Sequence, residues 1–466
     1  MNDPDDFADD FAPDDLLPAR AMRSVASGLV HAFLAGSSDP ASLRERGRHA
    51  LGENPGWLPL LVLHLHQEFA APFTAHQHDA LLEAVLAYRH FRKAFLPWCI
   101  RPRIHAHFAF HPPMGEPPAA LTGLAVPALA TPGELADWLG LLPNELAWFC
   151  GNWQVSPSQS KLDHYRYRWL RKTSGGARLI EAPKETLRAI QRRILHGILD
   201  KVPVHAAATG CVRGLSVVDN ARRHAASPLL LKMDLRDFFA SIPAGRVFAL
   251  FRTLGYPAAS AHCLTQLCTH ATPMRVLRQL PQDEYASPEA RRQALAWARR
   301  FATRHLPQGA PTSPALANLC AGRLDLRLAG LARECHAAYS RYVDDLAFSL
   351  PRPDAARARR IQFLVEEIVI QEGFAPNWRK TRRCPASQAQ TLTGLLINRH
   401  PNLPRAEYDR LKAILTNCRR HGPRGQNRDQ HPDFRAYLQG RIAWLRQVNP
   451  ARGEKLLALF GQIDWT

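Results

Sequence analysis

The chain has 466 residues, 46% of them apolar, and carries 60 Lys and Arg against 41 Asp and Glu for a formal net charge of +19. That length holds two or three domains with ample core, and the basic excess points to a polyanionic partner, although a GC-rich genome also raises Arg. Nine scattered Cys without a Cys-x-x-Cys pair, an acidic start and no apolar run of about 18 residues argue against a disulfide scaffold, a zinc site, a secretory leader and a membrane span, so a cytoplasmic protein is expected.

Residues 1–18 read as an acidic tail: the first 15 hold seven Asp and no Lys or Arg. Such a segment buries too little apolar surface to offset chain entropy, so disorder is expected. Residues 19–130 read as a mostly helical extension of unknown role, with runs such as Leu60–Leu65 and Ala80–Leu86. His64, His66, His76, His78, His105, His107 and His111 are conceivable metal ligands there, but their spacings match no standard site. Residues 112–132, rich in Pro and Gly, read as a linker, which makes the extension a separable unit.

Thr131-Pro132-Gly133-Glu134 has the form of a helix start, with Thr as N-cap, Pro at N1 and Glu closing a capping box; the helix should end at Gly140. A second helix follows from Asn144 through Trp148. A helix-turn-helix reader of DNA is conceivable, but Leu146, Ala147, Trp148 and Phe149 favour packing. Residues 164–183 alternate as two strand segments around Ser174-Gly175-Gly176, a hairpin signal that sets Lys172 and Arg178 beside the turn. Those cations could hold a triphosphate or could line a solvated basic hairpin. Residues 184–200 follow as an amphipathic helix.

Asn220-Ala221-Arg222-Arg223-His224 lies in a polar stretch that also holds Arg213. Asn220 and His224 offer donors, an acceptor and a stacking ring suited to RNA; alternatively Asn220 caps the helix that includes His224. Residues 229–242 read as a buried strand ending in Asp234, followed by Phe238 and Phe239. The helix after Ser287-Pro288 carries Arg291, Arg292, Arg299, Arg300 and Arg304, facing either solvent or a phosphate backbone. Residues 305–318 form a Pro/Gly-rich loop, with Gln308 and Gly309, running into an apolar helix.

Residues 338–349 place two adjacent acids, Asp344 and Asp345, between strand-forming runs, the pattern of a hairpin with carboxylates at its turn. Neighbouring carboxylates repel and need a cation, and hard oxygen ligands suit Mg²⁺; an Asp-Asp turn on a surface hairpin is the bland alternative. An acid ending one strand and an acid pair at a hairpin are able to converge on two metal ions, the arrangement for phosphoryl transfer. Residues 355–373 read as a helix; Asn377-Trp378-Arg379-Lys380-Thr381 comes next, and then a short apolar strand from Leu392 to Asn398. Residues 405–466 are helical and basic, with Arg410, Lys412, Arg419, Arg420, Arg424 and Arg428, as suits a grip on duplex phosphates.

The strand ending in Asp234, the Gln308-Gly309 loop and the Tyr342-Val343-Asp344-Asp345 hairpin, in this order, resemble the reverse transcriptases. Asn220-Ala221-x-x-His224 and Leu392-Thr393-Gly394 are similar to motifs of the retron type, with Leu where that group has Val, and Val343 where it usually has Ala. The resemblance covers residues from about 131 to 466. It implies an α+β right-hand polymerase: fingers and palm over residues 131–385, the palm an antiparallel sheet carrying the Asp-Asp hairpin, then a primer-grip strand and helical thumb over 386–466. It implies Asp234, Asp344 and Asp345 as ligands of two Mg²⁺, Lys380 as proton donor to pyrophosphate, and Phe239 as the gate below the sugar. Lys172, Arg178, Gln308 and Gly309 would face the incoming dNTP, and Asn220, Arg222, Arg223 and His224 the RNA. Such an enzyme copies part of a structured noncoding RNA from a 2′-OH primer into branched RNA–DNA, typically in antiphage defence, with an effector protein and a host ribonuclease H and without a membrane. Other bacterial reverse transcriptases, of abortive-infection or group II intron type, and a catalytically silent RNA-binding scaffold are the alternatives.

Overall fold

The computed structural model describes residues 13–69, 71–96, 101–108, 113–151, 162–171, 177–279 and 288–465. Residues 1–12, which hold most of the acidic tail, therefore lie outside the described part. The first helix, Pro13–Leu34, begins inside the span that composition assigned to that tail. The chain divides into two compact units. One gathers the described residues through Thr122 with Ala128–Pro143 and Arg252–Ala261, and the other holds Gly123–Pro127, Asn144–Phe251 and the described residues from His262 onward.

The first unit is helical. Pro13–Leu34, Pro40–Leu51, Trp57–Glu68 and His78–Ala87 surround a core that includes Leu29, Phe33, Leu43, Leu61, Leu65, Leu81 and Phe91. Local chemistry sets the helix ends. Asp39 accepts from the Ser42 amide at 2.9 Å ahead of Pro40. The expected capping box is present, with Thr131 and Glu134 bonded reciprocally and Gly140 closing the helix in the left-handed region. Among the described residues no three His, Cys, Asp or Glu side chains are grouped to hold a metal ion.

The second unit is α+β. Strands β1 (Tyr165–Arg171) and β2 (Ala177–Pro183) pair antiparallel, with Tyr165 opposite Pro183 and Arg171 opposite Ala177. The connecting turn and Lys172 lie outside the described residues. A four-stranded sheet combines β3 (Leu229–Asp234), β4 (Ala338–Tyr342), β5 (Asp345–Leu350) and β6 (Arg382–Pro385) in the order β4–β5–β3–β6, all antiparallel. β3 is paired on both edges and nearly all buried, which is why its sequence is an almost unbroken apolar run. Helix Gly322–Glu334 packs on β4 and on helix Ala355–Gln371.

A short pair, β7 (Thr391–Leu392) and β8 (Leu395–Leu396), turns through Thr393 and Gly394, both at positive φ. It shares a core with helices Arg405–His421, Phe434–Val448 and Pro450–Phe460, through Leu392, Leu395, Leu411, Leu415, Leu438, Ile442 and Leu456. Arg410, Lys412, Arg419, Arg420, Arg424 and Arg428 are all exposed. Among the described residues no helix is long and apolar enough to cross a membrane.

Candidate active site

The end of the four-stranded sheet brings three acids together. In the β3–β5 register Asp234 stands opposite Asp345. Asp344 occupies the turn between β4 and β5, and its carbonyl accepts from the Leu235 amide at 2.8 Å, tying the turn to the end of β3. Asp234 is buried, while Asp344 and Asp345 are half-buried. Burial raises the Asp344 carboxyl above its ordinary value, and the Asp234 charge raises it further. Asp345 is pushed up to about 6 by burial, then by Asp344 and Asp234. Carboxylates that oppose one another's ionisation in this way call for a cation.

The nearest cation is Lys380. Its Nζ lies 2.7 Å from Asp234 Oδ2, and Asn377 Nδ2 donates to Asp234 Oδ1 at 2.8 Å. The Asn377 amide also donates to the Asp234 carbonyl at 2.7 Å. Asn377 and the short helical turn that it leads into, Trp378–Lys380, thus clamp both oxygens of Asp234. Burial works against the Lys380 charge, but Asp234, with Asp344 and Asp345, outweighs it and holds the ammonium above its usual value. Asn377 escaped the sequence reading; its place three residues before Lys380 was the available signal.

Around this centre, Arg178 on β2 is exposed, and its charge reaches Asp344. β2 is held by the Pro/Gly-rich loop that contains Gln308, since the Gln308 carbonyl accepts from the Glu181 amide at 2.8 Å. Gly309 has φ +131°, and a Cβ there would come within 3.0 Å of the Glu181 carbonyl, so the residue serves backbone packing. Gln308 and Phe239 are half-buried, and Phe238 is buried against Phe374.

Asn220 and His224 lie elsewhere than expected. Each is 1% exposed, so neither side chain can touch an RNA laid on the surface; the expectation of direct RNA contact is corrected accordingly. Asn220 Oδ1 accepts from Ser340 Oγ at 2.6 Å and from Thr209 Oγ1 at 3.0 Å. His224 bonds Ser340 through Nε2 and Ser349 through Nδ1, both at 2.7 Å. Ser340 thus links Asn220 to His224, and His224 links it on to Ser349. The pair therefore braces the two strands of the Asp344 hairpin from inside. Nor does Asn220 cap its helix: Ser216 does, in a capping box with Asp219. Arg222 and Arg223 remain exposed, the first paired with Asp219 at 3.1 Å and the second donating to the Ala206 carbonyl at 2.7 Å.

The donor set fits a divalent cation in charge and hardness, since Asp234, Asp344 and Asp345 offer only carboxylate oxygens and destabilise one another without one. Among the described residues no three such groups already converge as a cage, and Lys380 and Asn377 occupy Asp234.

Comparison with known proteins agrees with this geometry. The family model described as reverse transcriptase (RNA-dependent DNA polymerase) matches residues 170–395, which include all three acids. The chain is 35% identical over 338 residues to the retron Mx65 reverse transcriptase of Myxococcus xanthus, covering 72% of this chain and 73% of that protein. It is 32% identical over 374 residues to the retron Mx162 reverse transcriptase of the same organism, covering 77% and 72%. It is also 31% identical over 240 residues to the retron Ec86 reverse transcriptase of Escherichia coli, covering 51% and 64%. The chain belongs to the retron reverse transcriptases and is an RNA-directed DNA polymerase.

Proposed function

We propose that this enzyme copies part of a cognate structured noncoding RNA into single-stranded DNA, starting from a 2′-OH of that RNA, so that the product is branched RNA–DNA. In this scheme it serves antiphage defence in the cytoplasm with an effector protein, and a host ribonuclease H removes the copied template. The sheet carrying the acids is the palm, β1, β2 and the Gln308 loop belong to the fingers, and the C-terminal helices are the thumb.

Asp234, Asp344 and Asp345 would hold two Mg²⁺, which would supply Lewis-acid stabilisation of the attacking and leaving oxygens. The rest falls to the chain itself. Arg178, and Lys172 outside the described residues, bind the triphosphate of the incoming dNTP. Gln308 and Gly309 form the wall beside it, and the ring of Phe239 fills the space that a ribose 2′-OH needs. Lys380, held beside Asp234 by an ion pair, supplies the proton that pyrophosphate takes on leaving. Asn220 and His224 support the hairpin, while exposed Arg222, Arg223 and the thumb cations meet RNA phosphates.

The observation that carries the function is the set of three carboxylates at one sheet end, each beside a strand terminus and two of them raised by burial and then by their neighbours. Expression of the gene with its flanking DNA, followed by isolation of small nucleic acids, tests it. A short DNA joined to RNA through a 2′,5′ linkage, released by a debranching enzyme, is expected. A linear DNA lacking attached RNA would contradict the priming scheme.

A further inference from the structure

The turn that presents Asp344 is itself strained. Val343 has φ +59°, a left-handed conformation that a β-branched side chain disfavours. Such a conformation persists only where the surroundings over-determine it.

Here they do so through a buried arginine. Arg341 is fully buried, two residues before Val343 on β4. Its Nε and Nη2 donate to the two oxygens of the equally buried Asp325, at 2.8 and 2.6 Å. That bidentate pair fixes the guanidinium plane. The remaining arm, Nη1, then donates to the Val343 carbonyl at 3.0 Å and to Asn318 Oδ1 at 2.9 Å. Asn318 passes the constraint on, since its Nδ2 donates to the Gly210 carbonyl at 2.9 Å. Gly210 closes the ring around the turn, because a Cβ there would lie 2.6 Å from the Val343 amide nitrogen. Two main-chain bonds at 2.8 Å, Thr209 N to Arg341 O and Arg341 N to Ala207 O, lock this segment to β4.

We infer that Arg341 is a positioning residue for DNA synthesis: through its bond to the Val343 carbonyl it holds the left-handed turn that aims Asp344 and Asp345. This rests on the proposed role of those two carboxylates. A buried arginine whose work ended at Asp325 would need only two of its three arms.

Arg341→Lys separates positioning from bulk stability, because an ammonium still pairs with Asp325 but cannot reach Val343 as well. With an annealed DNA primer on poly(rA), Arg341→Lys is expected to lower kcat about a hundred-fold, the effect of roughly an ångström of misplacement, with KM for dTTP nearly unchanged. Glycine adopts positive φ freely, so in the Val343→Gly background the same Arg341→Lys change is expected to cost less than about five-fold relative to Val343→Gly alone. If Arg341→Lys does not fold, Arg341→Met combined with Asp325→Leu, which removes the buried pair together and with it the bond to Val343, replaces it in the same cycle. An equal loss in both backgrounds, or no loss from the folded variant, would overturn the inference. Should Asp344→Ala retain activity, the role of the carboxylates would fail instead, which keeps the two failures distinct.

Discussion

His224 shows how one buried side chain ties the hairpin to solution conditions. Burial first, then the Arg223 charge, lowers its pKa to about 4 from the ordinary 6.5. Below about pH 6.5 the unfolded chain binds a proton that the folded chain refuses, so stability falls as the pH drops from 6.5 to 4 and is complete above that window. The full difference is on the order of 3 kcal/mol. His224→Gln should flatten urea-derived stability across that range by a measurable part of this amount, and an unchanged slope would show that other groups carry it. At the same scale, Phe239→Ala should raise rGTP incorporation relative to dGTP by at least about ten-fold. Unchanged discrimination would place the sugar gate elsewhere.

The elements differ in how legible they were. β3 and the β4–β5 hairpin were readable because central strands need unbroken apolar runs and Asp marks the turn, and the capping box at Thr131 was readable because its chemistry is local. The polar framework behind the hairpin was not. Asp325 lies within Gly322-Arg323-Leu324-Asp325, where it reads as one charge on a solvated helix face, yet it is fully buried on Tyr339 and Arg341. Arg341 sits inside a strand, and only the three-dimensional closure of β4 on the helix Gly322–Glu334 reveals its partner. Asn220 and His224 were found by motif but misassigned, since burial depends on the sheet above them. Because removal of one member leaves a buried charge unpaired, Asp325→Ala should cost about 3–5 kcal/mol in urea denaturation. A cost below about 1 kcal/mol, the level of an exposed pair, would show that the pair is solvated.

At the scale of the molecule, the first compact unit includes residues 252–261, which the sequence assigned to the catalytic part. Within that unit the Gly115 amide donates to the Gly255 carbonyl at 2.7 Å, and Leu254 and Tyr256 are buried. A chain starting at residue 130 is therefore expected to lose about 2–5 kcal/mol of stability as such side chains gain solvent, instead of behaving as the intact catalytic unit that the linker-like composition implied. Wild-type melting of the shortened protein would show that the extension is separable after all.

The central claim is that RNA-templated DNA synthesis takes place at the sheet end where Asp234, Asp344 and Asp345 meet. Extension of a DNA primer on poly(rA), compared between the wild-type protein and Asp344→Ala at matched folding, tests it most directly. The account predicts that the substitution removes synthesis by at least about a thousand-fold while the thermal transition and RNA binding persist. Wild-type extension rates in purified, folded Asp344→Ala would contradict it.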